Sequence, residues 1–100
     1  MQHSLRRSPA QLAIEGALCV YTAARYKADW LDAMRDGDGL ELDLSRVDEI
    51  DSAGLQLLLL LRREAQAQGK PFGVGARSAA VDDLLSFCNL NDELDAGASR

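Results

Sequence analysis

Residues 11–21, QLAIEGALCVY, place Leu12, Ile14, Gly16, Leu18 and Val20 at every second position. That is the period of a strand with one buried face. Gly16 in its middle predicts a bulge or a close approach of another backbone. A shorter strand around Leu5, paired through a turn near Ser8-Pro9-Ala10, is expected before it. The period then changes. Thr22 reads as an N-cap, and Ala23, Tyr26, Trp30 and Met34 follow at three- and four-residue spacing. Asp36-Gly37-Asp38-Gly39 stops this helix, with Gly supplying a left-handed residue. Leu40-Glu41-Leu42-Asp43-Leu44 alternates strictly and is the clearest strand in the chain. Ser45-Arg46 is expected to turn it, with Val47 and Ile50 returning to the core from a loop.

A second helix opens at Asp51-Ser52-Ala53-Gly54 and runs to about Gln68, closed by Gly69. Pro71-Phe72-Gly73-Val74-Gly75 reads as a short strand with Pro where no ladder donor is needed. Ser78 can cap a third helix whose buried stripe is Val81, Leu84, Leu85 and Cys88. Asn89 to Leu94 adds a turn that packs Leu90 and Leu94, and residues 95–100 read as a frayed tail. The alternation of strands and helices predicts an α/β sheet with helices against it, mixed because of the initial hairpin. The 100 residues make one domain, its core spanning about residues 5–94.

Two features exceed what a fold requires. In the second helix Leu55, Leu57, Leu58, Leu59, Leu60 and Leu61 surround the axis, and only Gln56 interrupts the ring. A helix lying on one sheet needs an apolar stripe a little over 100° wide. The second apolar side is therefore covered by a neighbouring helix or offered to a partner. The other feature is the helix start. Asp51 or Ser52 caps it, and Gly54 permits a tight entry. Alternatively, Ser52 presents its hydroxyl at an exposed helix N-terminus as a phosphorylation site, where a phosphate would bring roughly −1.5 to −2 charges. A partner on the leucine-rich surface would then have to bury that charge.

The balance of charge narrows the function. Eleven basic against sixteen acidic residues give a net charge of −5. That argues against nucleic-acid binding, which draws its affinity from clustered Lys and Arg. Residues 29–51 hold nine acids against Arg35 and Arg46, so a partner at Ser52 is expected to be basic. One histidine, His3, and two distant cysteines, Cys19 and Cys88, give no catalytic set, zinc site or disulfide framework. No phosphate-cradling glycine motif appears. The expectation is a non-enzymatic protein without metal or cofactor. The longest apolar run, Leu57 to Leu61, is far short of the roughly 20 residues that span a bilayer. With no signal-peptide pattern at the start, a cytoplasmic location without membrane insertion is expected.

Residues 40–70, LELDLSRVDEIDSAGLQLLLLLRREAQAQGK, resemble the STAS domain of sulfate transporters and anti-sigma factor antagonists. That family shows such a strand, a short loop, then Asp-Ser/Thr-x-Gly-Leu opening an apolar helix. Gly16-Ala17-Leu18 is similar to the family's Gly-Glu-Leu-Asp turn, with Ala17 and Cys19 where its acidic pair stands. SAAVDDLLSFCNLNDEL, residues 78–94, looks like its third helix and closing Leu. The likeness covers roughly residues 11–94. It implies a four- to five-stranded mixed sheet with three to four helices mainly on one face. In anti-sigma factor antagonists the serine matching Ser52 is phosphorylated by a serine kinase that is itself the anti-sigma factor. The unphosphorylated form binds that kinase, phosphorylation releases it, and a phosphatase resets the cycle. The STAS subunit of the bacterial lipid-asymmetry ABC transporter is also similar, with an Asp-Thr-Gly-Gly-Leu helix start. There the domain docks on an ATPase subunit. The residues expected to carry partner binding here are Asp51, Ser52, Ala53, Gly54, Leu57, Leu60 and Leu61.

Overall fold

Alternation is what makes the sheet. The computed structural model describes residues 10–90 and Leu94. Its elements run β1 (Ala10–Leu18), α1 (Val20–Asp36), β2 (Leu40–Ile50), α2 (Ser52–Ala67), β3 (Phe72–Arg77) and α3 (Ala79–Phe87). The strands lie in the order β1-β2-β3 and every pairing is parallel. Among the described residues the sheet therefore has three strands, not four or five, and is not mixed. The strand expected around Leu5 falls outside the described residues, and Ala10, expected in a turn, begins β1.

On β2, Leu40, Leu42, Leu44 and Val47 are buried, joined by Ile14 and Leu18 of β1 and Phe72 and Val74 of β3. Trp30 and Met34 of α1, Leu57, Leu58, Leu61 and Ala65 of α2, and Val81 and Leu85 of α3 complete one core with Leu94. The opposite face carries Gln11, Ala13, Glu15, Asp43 and Ser45, all exposed. A parallel sheet covered on both faces would read as continuous apolar runs. This one alternates because, among the described residues, its helices cover one face only.

Several boundaries differ from the sequence expectations. Ser45-Arg46 does not turn the chain. β2 continues to Ile50, and the register shifts there against β1, with Ala13 opposite Asp43 but Glu15 opposite Arg46. Asp43 Oδ1 accepts from Ser45 N at 2.9 Å and from Ser45 Oγ at 2.6 Å. This is turn chemistry serving a β-bulge inside a strand. Gly16 marks an irregularity: its φ is +93° and the register shifts between Gly16 and Ala17, the extra residue, Asp48, lying on β2. Thr22 does not cap α1. Cys19 is the N-cap, while Thr22 Oγ1 accepts from Cys19 N and donates to the Ala17 carbonyl. Gly37, which ends α1, is extended. The left-handed residue is Gly39, φ +118°, where a Cβ would strike the Pro71 carbonyl.

Two contacts tie the layers together. Lys70, just before β3, reaches the end of α1, where its ammonium donates to the Met34 carbonyl at 2.9 Å and the Arg35 carbonyl at 3.0 Å. These are carbonyls that a helix end leaves without intrahelical partners. At the other end of the sheet, Gly54 in the first turn of α2 lies against β1, so that a Cβ would collide with the Leu18 carbonyl.

Replacing Lys70 with Met keeps the stem and loses both bonds, and should cost about 1 kcal/mol. In a chain of this size that lowers the melting temperature by about 4–8 °C, measurable by calorimetry. Gly54→Ala gains helix propensity but drives a methyl into backbone. A net loss of roughly 1–3 kcal/mol is expected in urea titration.

Candidate functional site

β1 and β2 end side by side, with Leu18 opposite Ile50, so α1 and α2 begin as neighbours at the carboxyl edge of the sheet. Clefts at this edge are the usual places for recognition in open parallel sheets. Asp51 stands between the two helix starts. Its Oδ1 accepts from Ala53 N at 2.9 Å and Gly54 N at 3.1 Å, the N-cap bonds of α2. Its Oδ2 accepts from Val20 N of α1 at 3.1 Å, and its own backbone N–H donates to the Leu18 carbonyl at 3.3 Å. Of the two residues that could have capped α2, Asp51 does so.

Ser52 is consequently the first residue of α2, exposed and unneeded for the cap. Asp48, Glu49 and Asp51 are exposed beside it. Helix N-termini favour negative charge, so the fold itself tolerates anions here.

The leucine-rich helix divides differently from the expectation. Leu57 and Leu61 do not face outward as expected but are buried in the core, at 5% and 0% exposure. Leu60 is half-buried, as are Leu55 and Leu59, and Gly54 is buried against β1. The second apolar side is covered because α1 packs along α2. Between them runs a shallow groove of about 270 Å³, lined by Ala23, Ala24, Lys27, Ala53, Gln56, Leu57 and Leu60. Alanines on both helices keep it open. A wider hollow of about 480 Å³ lies among Cys19, Asp48, Glu49, Ile50, Asp51 and Ala80.

Two residues of this face were not among the sequence candidates. Val20 is 59% exposed and Tyr21 is 90% exposed at the start of α1. The alternation of the sequence puts Val20 in the buried set of β1, but the strand ends at Leu18. Tyr21 lies off the Ala23–Tyr26–Trp30–Met34 stripe, and that offset was the available signal. Cys19 and Cys88 are free and half-buried, and Trp30 is core, stacked on Tyr26 at 5.1 Å. Among the described residues no group of three or more His, Cys, Asp or Glu is placed to hold a metal ion. No helix among them is long and apolar enough to cross a membrane.

The amide of Gly54, with those of Val20 and Ala53, holds the Asp51 carboxyl below the ordinary carboxylate range. The Ser45 hydroxyl and amide do the same for Asp43, helped by Arg46. A carboxyl that titrates lower folded than unfolded stabilises the native state above its unfolded value. That contribution is lost as pH falls through the folded value. Stability should therefore drop below about pH 4. Asp51→Asn should show a smaller drop than the wild type between pH 7 and pH 3, read from urea midpoints at each pH.

The family model described as "Mlab, STAS domain" matches residues 1–95. No curated protein matches the chain. Among solved structures, the chain is similar to the anti-sigma factor antagonist SpoIIAA in its unphosphorylated form, with 21% identity and a TM-score of 0.70 over 83% of this chain and 76% of that one. It is also similar to a sulfate transporter family protein from Wolinella succinogenes, with 17% identity and a TM-score of 0.69 over 91% of this chain and 78% of that one. The STAS domain of a SulP transporter from Vibrio cholerae gives 19% identity and a TM-score of 0.65 over 88% of this chain and 69% of that one. At these identities the three structures speak for the fold, whereas the family model speaks for descent. With nearly the whole length matched, the chain belongs to the STAS domain family.

Proposed function

We propose that this protein is a non-enzymatic regulatory module, similar in action to an anti-sigma factor antagonist, whose face at the starts of α1 and α2 binds a serine kinase that is also an anti-sigma factor. The observation that carries the reading is Ser52, an exposed hydroxyl at the head of α2 with the cap supplied by Asp51 instead. Ala53, next to it, and Leu60, two turns further along α2, line the groove between the helices, and the exposed Val20 and Tyr21 open α1. The kinase would transfer the γ-phosphoryl group of ATP to Ser52 Oγ. An oxygen–phosphorus bond forms, the bond to the β-phosphate oxygen breaks, the hydroxyl proton passes to a base of the kinase, and ADP leaves. The product carries about −1.5 to −2 charges where a partner seeks apolar contact. Burying such a charge without a cationic partner is costly, so binding weakens while the fold persists.

The likeness to SpoIIAA agrees with this reading at the level of architecture. A second reading is a constitutive accessory subunit docked on the ATPase of a lipid-transport ABC system. The description of the matching family model, "Mlab, STAS domain", favours it, as does the resemblance of the helix start to that subunit's.

The two readings separate on position 52. Wild type, Ser52→Ala and Ser52→Glu are titrated calorimetrically against the anti-sigma kinase and the ABC ATPase encoded by the same genome. The switch predicts that wild type and Ser52→Ala bind the kinase alike and that Ser52→Glu binds at least about tenfold more weakly, a difference of 1.4 kcal/mol. Equal kinase affinity for all three ends it. Tight ATPase binding that ignores both substitutions establishes the accessory subunit.

A further inference from the structure

The first amides of a helix have no partner within it. In α1 the N-cap is Cys19, a residue type that caps poorly, and the Val20 amide goes instead to Asp51, 31 residues away in sequence. One carboxylate is thus divided between two helices, with Oδ1 on the Ala53 and Gly54 amides of α2 and Oδ2 on the Val20 amide of α1. Thr22 Oγ1, bonded to Cys19 N and the Ala17 carbonyl, anchors the chain just before the helix, and the Asp51 bond is the one that holds the Val20 amide itself.

We propose that Asp51 is a positioning residue that couples position 52 to the Val20–Tyr21 surface: a negative charge on residue 52 displaces the Asp51 carboxylate and frees the first turn of α1. The proposal rests on Ser52 as the charge-bearing site. A charge there repels the neighbouring carboxylate, whose two oxygens are shared between the two helix starts. The carboxylate is rigid, so it cannot turn away and keep both helices. It holds α2 by two bonds and α1 by one, and the bond to α1 is the one that gives way. The switch then acts in two ways on a partner. It places a charge beside the groove, and it unfixes the aromatic contact offered by Tyr21.

The experiment measures amide–water exchange by NMR in the full chain, free of any partner. Ser52→Glu should speed exchange at the Val20 amide by about three- to tenfold, the worth of one hydrogen bond. Asp51→Asn should do the same with no charge at residue 52. Asparagine caps α2 as well as aspartate does, but its amide nitrogen then faces the Val20 N–H, donor against donor. Amides of Leu42 and Leu44 in β2 serve as folding controls, since Leu42 and Leu44 lie in the core. In the double variant the two effects should not add, because the same bond is already lost. Unchanged Val20 exchange in Ser52→Glu overturns the coupling, and so does full additivity. If Ser52→Glu weakens kinase binding but leaves Val20 exchange untouched, the switch stands and the coupling falls. If it speeds Val20 exchange but leaves kinase binding intact, the coupling stands and the switch falls.

Discussion

The start of α2 is pressed against the end of β1, and the site follows from that contact. Parallel pairing brings Leu18 opposite Ile50, and the chain leaves both strands in the same direction. A helix can begin there only if its first turn passes over the Leu18 carbonyl, which leaves no room for a Cβ at residue 54. Gly54 is therefore a requirement of the architecture, whatever the surface above it does. Once the helix starts are fixed this close together, one carboxylate can serve both. Asp51 follows from Gly54 in that sense, and the exposed position of Ser52 follows from Asp51.

Sequence was most informative where one physical cause dominated. The run Leu40 to Leu44 reads as a strand because, among the described residues, the sheet has one covered face, so its burial alternates as its letters do. Ser78 reads as a cap and is one, its Oγ accepting from Val81 N at 3.2 Å. Misreadings arose where one residue type serves two structures. Asp43 and Ser45 make the contacts of a turn, but parallel neighbours on either side keep β2 extended. Thr22 has the hydroxyl of a cap, but it lies three residues inside the helix and bonds backward to Cys19 N.

The site was legible in its chemistry and less so in its orientation. Asp51-Ser52-Ala53-Gly54 could be singled out because those residue types belong at a helix start. Which leucines of α2 face outward could not be read, because a ring that is apolar on nearly every side gives no direction. The packing of α1 supplies it, burying Leu61 in the core and Leu57 at the floor of the groove, with Leu60 half-buried at the groove. Val20 and Tyr21 were hidden by the boundary between strand and helix. The alternation of β1 runs on through Val20 in the sequence, but the strand ends at Leu18, and α1 begins after its N-cap, Cys19.

Asp51 and Ser52 divide two tasks that one residue could not perform together. A capping side chain must keep its oxygen on the backbone amides, and a modified or recognised side chain must present its oxygen outward. Were the hydroxyl of Ser52 the cap, any group added to it would first have to give up those amides, and the head of α2 would loosen with every modification. With the carboxylate of Asp51 in that role, residue 52 can change charge while the helix keeps its cap amides occupied. Ala17 and Cys19 put no carboxylate at the exit of β1, and the Val20 amide is taken by Asp51, which joins the two helix starts through one side chain.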